Sequence, residues 1–331
     1  MVKYNREEQI ASVRGALALR SEIEKIVDSY CNEDFRNLCY LGIGGTWASC
    51  LQAVVHMKER TDRDVFAANA AEYNTTGDRR VGRGTVVVIS SVTGTTVEIV
   101  AGVRKAQADG AKVIGFVDNA DCELAGMVDN CITYKSNEQL KFFMTADRFM
   151  FNWGEMDEYE EFYGQMDKYL PEGLVEIEEK ADSFGEEYAK AHLNDRLHYF
   201  VGAGTMYGAT YSYAMCYWEE MHWIRTKSIH SAEFFHGMLE IIDDDTPVTL
   251  FVTEDSQRSL SERVARFLPK INHNHTVIDA ADYPIEGIDA KFRGNISHLI
   301  IHAVTNRIDA HLEAIGGHDM TIRRYYRKFD Y

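Results

Sequence analysis

Three places in the sequence carry side chains whose types and spacing could do chemistry. The first is Ser90-Ser91-Val92-Thr93-Gly94-Thr95-Thr96-Val97-Glu98, a hydroxyl-rich turn between an apolar run at 85–89 and a helical pattern. A helix start gathers unpaired N–H donors and roughly half a positive charge, so a dianionic phosphate can settle there without a lysine. Gly94 would let the backbone approach the ligand, and Ser91, Thr93 and Thr96 would add hydroxyls. The same residues also make an ordinary N-cap and turn, and the local pattern leaves both readings open. The second place is the helix expected after Thr205, where Tyr213, Tyr217, Glu220 and Trp223/Ile224 recur every three to four residues. A carboxylate desolvated on that apolar face would suit the taking and returning of a proton, with Glu219 as its solvated neighbour. Read otherwise, Glu220 is surface charge. The third is Phe234-Phe235-His236-Gly237, whose histidine is either a hydrogen-bonded core residue or an acid–base group.

Elements must hold these groups in place. The spacing of Ile10, Val13, Leu17, Ile23 and Ile26 predicts a helix over 7–30. Strands are expected at 38–42, 64–68, 85–89, 112–117 and 131–134, mostly separated by helical patterns. That alternation predicts a largely parallel sheet with helices on both faces. In such sheets ligands bind beyond the carboxyl ends of strands near a switch point, where the Gly44-Gly45-Thr46 turn and the 90–96 turn would converge. Gly42-x-Gly44-Gly45 lacks the third glycine and the ribose-binding acid of a dinucleotide fingerprint, so NAD is not expected. A linker is read at Tyr169-Leu170-Pro171-Glu172-Gly173, between helices ending near 167 and starting at 174. Beyond it, 197–205 repeats 38–46 at an offset of 159, which suggests an internal duplication. In the second copy the turn matching the cradle reads Thr253-Glu254-Asp255-Ser256, whose two carboxylates would repel a phosphate. One phosphate site is expected, in the first half.

Composition bounds the rest. The chain has 331 residues, enough for two domains, and a net charge of −17 that argues against nucleic acid and anionic membranes as partners. No apolar run approaches the ~20 residues of a membrane span, and the polar start does not read as a signal peptide, so a soluble cytoplasmic protein is expected. Six cysteines without CxxC spacing suggest neither zinc nor disulfides, and His273/His275 read as a solvated strand entry rather than a metal site.

The segment 91–98 resembles the Ser-x-Ser-Gly-x-Thr-x-Glu signature of sugar isomerase (SIS) domains, and the whole chain resembles a tandem pair of them. The resemblance implies an α/β fold of two SIS domains, 1–170 and 171–331, each a mostly parallel five-stranded sheet in an αβα sandwich. Two kinds of tandem SIS protein come near: the isomerase half of glucosamine-fructose-6-phosphate aminotransferase and the fructosamine-6-phosphate deglycases. In both, a glutamate on the first helix of the second domain precedes, by sixteen residues, the histidine of a Glu-x-x-His-Gly segment; Glu220 and His236 match. The resemblance therefore implies Glu220 and His236 as catalytic residues, and Thr46, Ser91, Thr93 and Thr96 with Gly45 and Gly94 as the phosphate site.

Departures separate the candidates. The aminotransferase's N-terminal cysteine nucleophile has no counterpart, Tyr217 stands where the isomerase half has a lysine, and Met238 replaces a common proline. Phe234-Phe235 and the tail from Arg323-Arg324-Tyr325-Tyr326 to Asp330-Tyr331 resemble the deglycases instead. The implied function is cleavage of a phosphorylated Amadori product to glucose 6-phosphate and an amine, without metal or organic cofactor, in a homodimer or larger assembly sharing its sites. The alternatives are an aldose–ketose phosphosugar isomerase and a non-catalytic phosphosugar sensor.

Overall fold

The apolar runs around 38, 86 and 113 become strands buried on both faces, as parallel strands between two helix layers must be. The computed structural model describes residues 1–31 and 35–329; Asp330 and Tyr331 of the tail lie outside them. Backbone contacts divide the chain into two units, 7–171 and 172–331 with 1–6, here the N-terminal and C-terminal units.

In the N-terminal unit, helices α1 (Arg6–Ala18) and α2 (Arg20–Cys31) replace the single helix expected over 7–30, the chain turning at Leu19. Then follow β1 (Asn37–Gly42), α3 (Gly45–Lys58), β2 (Val65–Asn69), α4 (Ala70–Thr76), β3 (Thr85–Ser91), α5 (Val97–Ala108), β4 (Lys112–Val117), β5 (Asn130–Thr133) and α6 (Glu138–Asn152). The sheet is wholly parallel in the order β2-β1-β3-β4-β5. Alternate strand residues Cys39, Leu41, Val87, Ile89 and Val113 pack with Ile99 and Val103 of α5 on one face. On the other face Tyr40 and Phe116 meet Phe142 of α6.

The expected linker is not one. Helix α7 (Tyr159–His192) runs through it with Pro171 inside. Buried Met166, Leu170, Ile177 and Ala181 give this stretch an apolar stripe, so burial outweighs the one intrahelical hydrogen bond a proline removes.

The C-terminal unit contains β6 (His198–Gly202), α8 (Thr205–Ser212), a π-helical segment Tyr213–Glu219, β7 (Thr226–His230), β8 (Val248–Val252), α9 (Arg258–Phe267), β9 (His275–Asp279) and α10 (Arg293–Gly316). Its sheet is also parallel, in the order β7-β6-β8-β9, with four strands among the described residues rather than five. Numbered within each unit, both sheets begin 2-1-3-4.

The two sheets share this strand order, but their structural match is shifted by one residue from the sequence match. Gly44 and Gly204 both precede a helix at φ 60° and 62°, which sets the offset at 160. Cys39 and Leu41 then pair with Tyr199 and Val201, each pair on the core face of its own sheet. The identities at offset 159 mislead because a one-residue slip exchanges the two faces of a strand. Among the described residues no helix is long and apolar enough to cross a membrane.

Candidate active site

The N-terminal sheet changes winding direction between β1 and β3, which are neighbours in register Leu41 to Ile89. The turns that leave them, 43–46 and 92–96, therefore rise from one edge, at the switch point where open sheets bind ligands. Ser91 closes β3; its Oγ accepts the Gly94 amide at 3.1 Å and lies 3.3 Å from Thr96 Oγ1. Thr93 Oγ1 accepts the Thr95 amide at 3.4 Å. Gly94 sits at φ +62°, and a Cβ there would meet Cys122 Sγ at 2.1 Å, so both backbone and packing demand glycine. Thr96 is the N-cap residue of α5, yet its side chain makes no capping bond. The start of α5 thus has no cap from the Thr96 side chain, and hydroxyls lie around it. Gly45 opens α3, also uncapped. Thr46 follows it, and its hydroxyl donates to Glu138 Oε2 of α6 at 2.8 Å. Glu138 lies 92 residues away, too far for any local pattern to have indicated it.

In the C-terminal unit the matching turn is filled from within. Asp255 Oδ2 accepts the Thr205 amide and hydroxyl, each at 3.0 Å, at the start of α8. Glu254 forms a bidentate pair with Arg293 at 2.5 and 2.8 Å. One expected anion repellent is thus a substitute anion, and the other is neutralised.

Glu220 follows the π-helical segment, whose wide turn is carried by Glu220 N–H to Met215 O at 3.0 Å and His222 N–H to Tyr217 O at 3.0 Å. Such bulges recur at functional sites. The extra residue per turn breaks the three-to-four spacing, and Glu220 is not desolvated on an apolar face. Its carboxylate is 37% exposed and accepts from Arg323 Nε at 2.6 Å. Glu219 is exposed, as its position one residue along the helix implies, and accepts the Thr226 hydroxyl at 2.8 Å. Beneath the turn, His222 pairs with Asp309 Oδ1 of α10 at 3.1 Å, both side chains buried, and Tyr213 OH donates to the same oxygen at 3.2 Å. Burial pushes the Asp309 carboxyl upward. This partner of His222 escaped sequence reasoning because it comes from a distant helix.

His236 lies in a short 3₁₀ turn after β7. Phe234 beside it is buried in the sheet core, while His236 itself is exposed, which removes the core-histidine reading. Glu220 comes before β7 and His236 beyond its end, and no hydrogen bond or ion pair joins them among the described residues. Tyr217 packs edge-on to the His302 ring at 6.0 Å.

One cluster has metal-ligand composition: His192, Asp195 and His198. A carboxylate only accepts, so both histidines donate Nδ1–H to Asp195 Oδ2, each at 2.8 Å, and His198 Nε2 meets Thr249 Oγ1 at 2.8 Å. Burial holds His198 down at about 4, whereas the two histidine bonds outweigh burial and lower Asp195. The nitrogens of His198 are thus committed to hydrogen bonds.

Comparison with known proteins agrees with this architecture. Residues 33–147 match the sequence profile of the SIS domain. The chain is 28% identical over 284 residues to the fructosamine deglycase FrlB of Bacillus subtilis (81% of this chain, 83% of the relative). It is 22% identical over 266 residues to the fructoselysine 6-phosphate deglycase of Escherichia coli (78% of each chain). In fold it is similar to a Bacillus subtilis protein provisionally described as a phosphosugar isomerase (TM-score 0.90, 23% identity, 96% of this chain and 99% of that one). It is similar also to the C-terminal domain of glucosamine-fructose-6-phosphate aminotransferase from Francisella tularensis (TM-score 0.74, 12% identity, 95% of each). The switch-point turns and the hydroxyl-lined helix start both fall within the stretch that matches the SIS domain, residues 33–147.

Proposed function

We propose that this protein is a fructosamine-6-phosphate deglycase. One observation carries the reading: the uncapped start of α5, ringed by Ser91, Thr93 and Thr96, offers a dianion a seat in a chain 28% identical to a fructosamine deglycase. The matching 2-1-3-4 winding supports treating the C-terminal unit as a second SIS domain.

In this reading the cradle grips the 6-phosphate and the remainder of the sugar reacts. His236 assists opening of the ketose ring. Glu220 takes a proton from C1, leaving an enaminol between C1 and C2, and a proton returned to C2 yields the C1 imine of glucose 6-phosphate. Water adds to that imine, and the C1–N bond breaks with the amine carrying the proton away. The C2 carbonyl takes up the electrons that C1 gives, the amine nitrogen supplies its lone pair as C2 is protonated, and Glu220 and His236 move the protons.

Position supports a shared site. Glu220 precedes the five-residue strand β7 and His236 follows it, and among the described residues no hydrogen bond or ion pair joins the two within one chain. In this reading a second copy delivers His236 to Glu220. Tyr217, with no ammonium to offer, favours deglycation over isomerisation. The test is a panel of fructosamine 6-phosphates assayed for glucose 6-phosphate, with fructose 6-phosphate alone as the isomerase substrate. Conversion of fructose 6-phosphate without amine release would replace this reading with the isomerase one.

A further inference from the structure

The C-terminal segment makes a contact that the reaction above leaves without a role. After α10, Gly317 turns the chain in the left-handed region at φ +65°, and residues 318–324 return across the turn that carries Glu220. The His318 ring lies 4.0 Å from the Trp223 ring, and the Arg324 guanidinium sits 4.1 Å over the same indole. Thr321 and Ile322 bond back to Asp319, giving the strap a local fold of its own. From it Arg323 donates Nε–H to Glu220 Oε1 at 2.6 Å, while its Nη1 donates to Met320 O at 2.5 Å and Ile322 O at 3.3 Å.

We propose that Arg323 is the positioning residue for Glu220, and that the C-terminal strap exists to hold it there. The inference rests on the deglycase reading for the role of Glu220. A glutamate at the end of a π-helical segment is otherwise free to sample many rotamers. Arg323 removes that freedom because its own guanidinium is fixed at Nη1 by two carbonyls of the strap. One carboxylate oxygen is thereby tied, and the other is left to move the proton between C1 and C2. The Trp223 contacts bind the strap to the turn, so base and donor travel together.

Kinetics and labelling test this together. Misplacing a reacting group by about 1 Å can cost on the order of 100-fold in rate. Arg323→Ala is expected to lower kcat about 10- to 100-fold with KM changed less than about threefold, since the phosphate is held elsewhere. Arg323→Lys, which can still donate one bond, recovers part of the loss, and Lys328→Ala, beyond the strap in the same C-terminal segment, changes neither constant. Carbodiimide coupling of Glu220 to glycine ethyl ester, read by mass spectrometry against exposed Glu219 as internal reference, should speed up several-fold in Arg323→Ala. Unchanged kcat, a loss shared with Lys328→Ala, or unchanged Glu220 labelling overturns the proposal. If the wild type releases no glucose 6-phosphate from any fructosamine 6-phosphate, the deglycase reading falls. Faster Glu220 labelling in Arg323→Ala then still establishes the clamp, and equal labelling removes it as well.

Discussion

The two glycine turns share a backbone and differ in what fills them. Gly44 and Gly204 stand at nearly the same φ before α3 and α8, and neither helix has a side-chain bond from its own N-cap. At α8 the Asp255 carboxylate supplies the negative charge from inside the protein. At α3 of the N-terminal unit the Thr46 hydroxyl instead donates to Glu138 Oε2, and the hydroxyls of the 91–96 turn lie around the start of α5. Turns of one backbone form can therefore be satisfied by different side chains, an aspartate on the Thr205 amide in one unit and Glu138 on the Thr46 hydroxyl in the other.

The largest effects should come from the C-terminal unit, which carries Glu220 and His236. A positioned acid or base contributes ~100- to 10,000-fold in rate. Glu220→Gln and His236→Ala are each expected to lose at least ~100-fold in kcat with little change in melting temperature. Mixed together, the two variants should regain part of the lost activity if Glu220 and His236 meet across copies; near-normal turnover in either single variant removes its catalytic role. Cradle variants should behave differently. Ser91→Ala with Thr96→Val removes contacts made alike to bound substrate and transition state, so steady-state kinetics should show KM raised ~10- to 100-fold and kcat little altered. A fall in kcat at constant KM would break the division of labour between units.

Much of the fold was legible in sequence. The strands of the N-terminal sheet were readable because a buried parallel strand is a continuous apolar run, and 112–117 matches β4 residue for residue. Turns whose glycines must adopt positive φ were readable for the same local reason. What stayed hidden depends on partners distant in the chain: Arg323 on Glu220, 103 residues apart, and Asp309 on His222. The π-helical segment also escaped, since periodicity assumes 3.6 residues per turn and nothing local announces an inserted residue. Pro171 misled because a proline reads as a break even where a buried stripe carries the helix through.

Acid should separate the units next. At offset 160 the C-terminal unit has His198 where the N-terminal unit has Leu38. The folded state holds His198 at about 4 by burial, below the ~6.5 of an unfolded histidine. The unfolded chain then binds the extra proton between these values, so stability is full above pH 6.5 and falls as pH drops toward 4. Asp195, lowered by its two histidine bonds, adds a loss only below the usual carboxylate range. Calorimetry from pH 7 to 4.5 should show a decline in melting temperature, of order 2 kcal/mol of stability, and His198→Gln should flatten that slope whatever it does to the absolute value. An unchanged slope in His198→Gln would remove this histidine as the cause.

The smallest effect bears most directly on the two turns. Asp255→Ala takes the carboxylate from the Thr205 amide and hydroxyl and leaves the start of α8 with unmatched donors. Losing such a cap costs about 1–2 kcal/mol, which thermal melts in a buffer without sulfate or phosphate should reveal. If α8 retains the anion-binding geometry it shares with the N-terminal turn, added sulfate should restore more melting temperature to Asp255→Ala than it adds to the wild type, because an outside anion then takes the place the aspartate left. Equal sulfate shifts in both proteins would mean that the C-terminal turn has lost the site itself and not only its vacancy, and the likeness of the two turns would then end at the backbone.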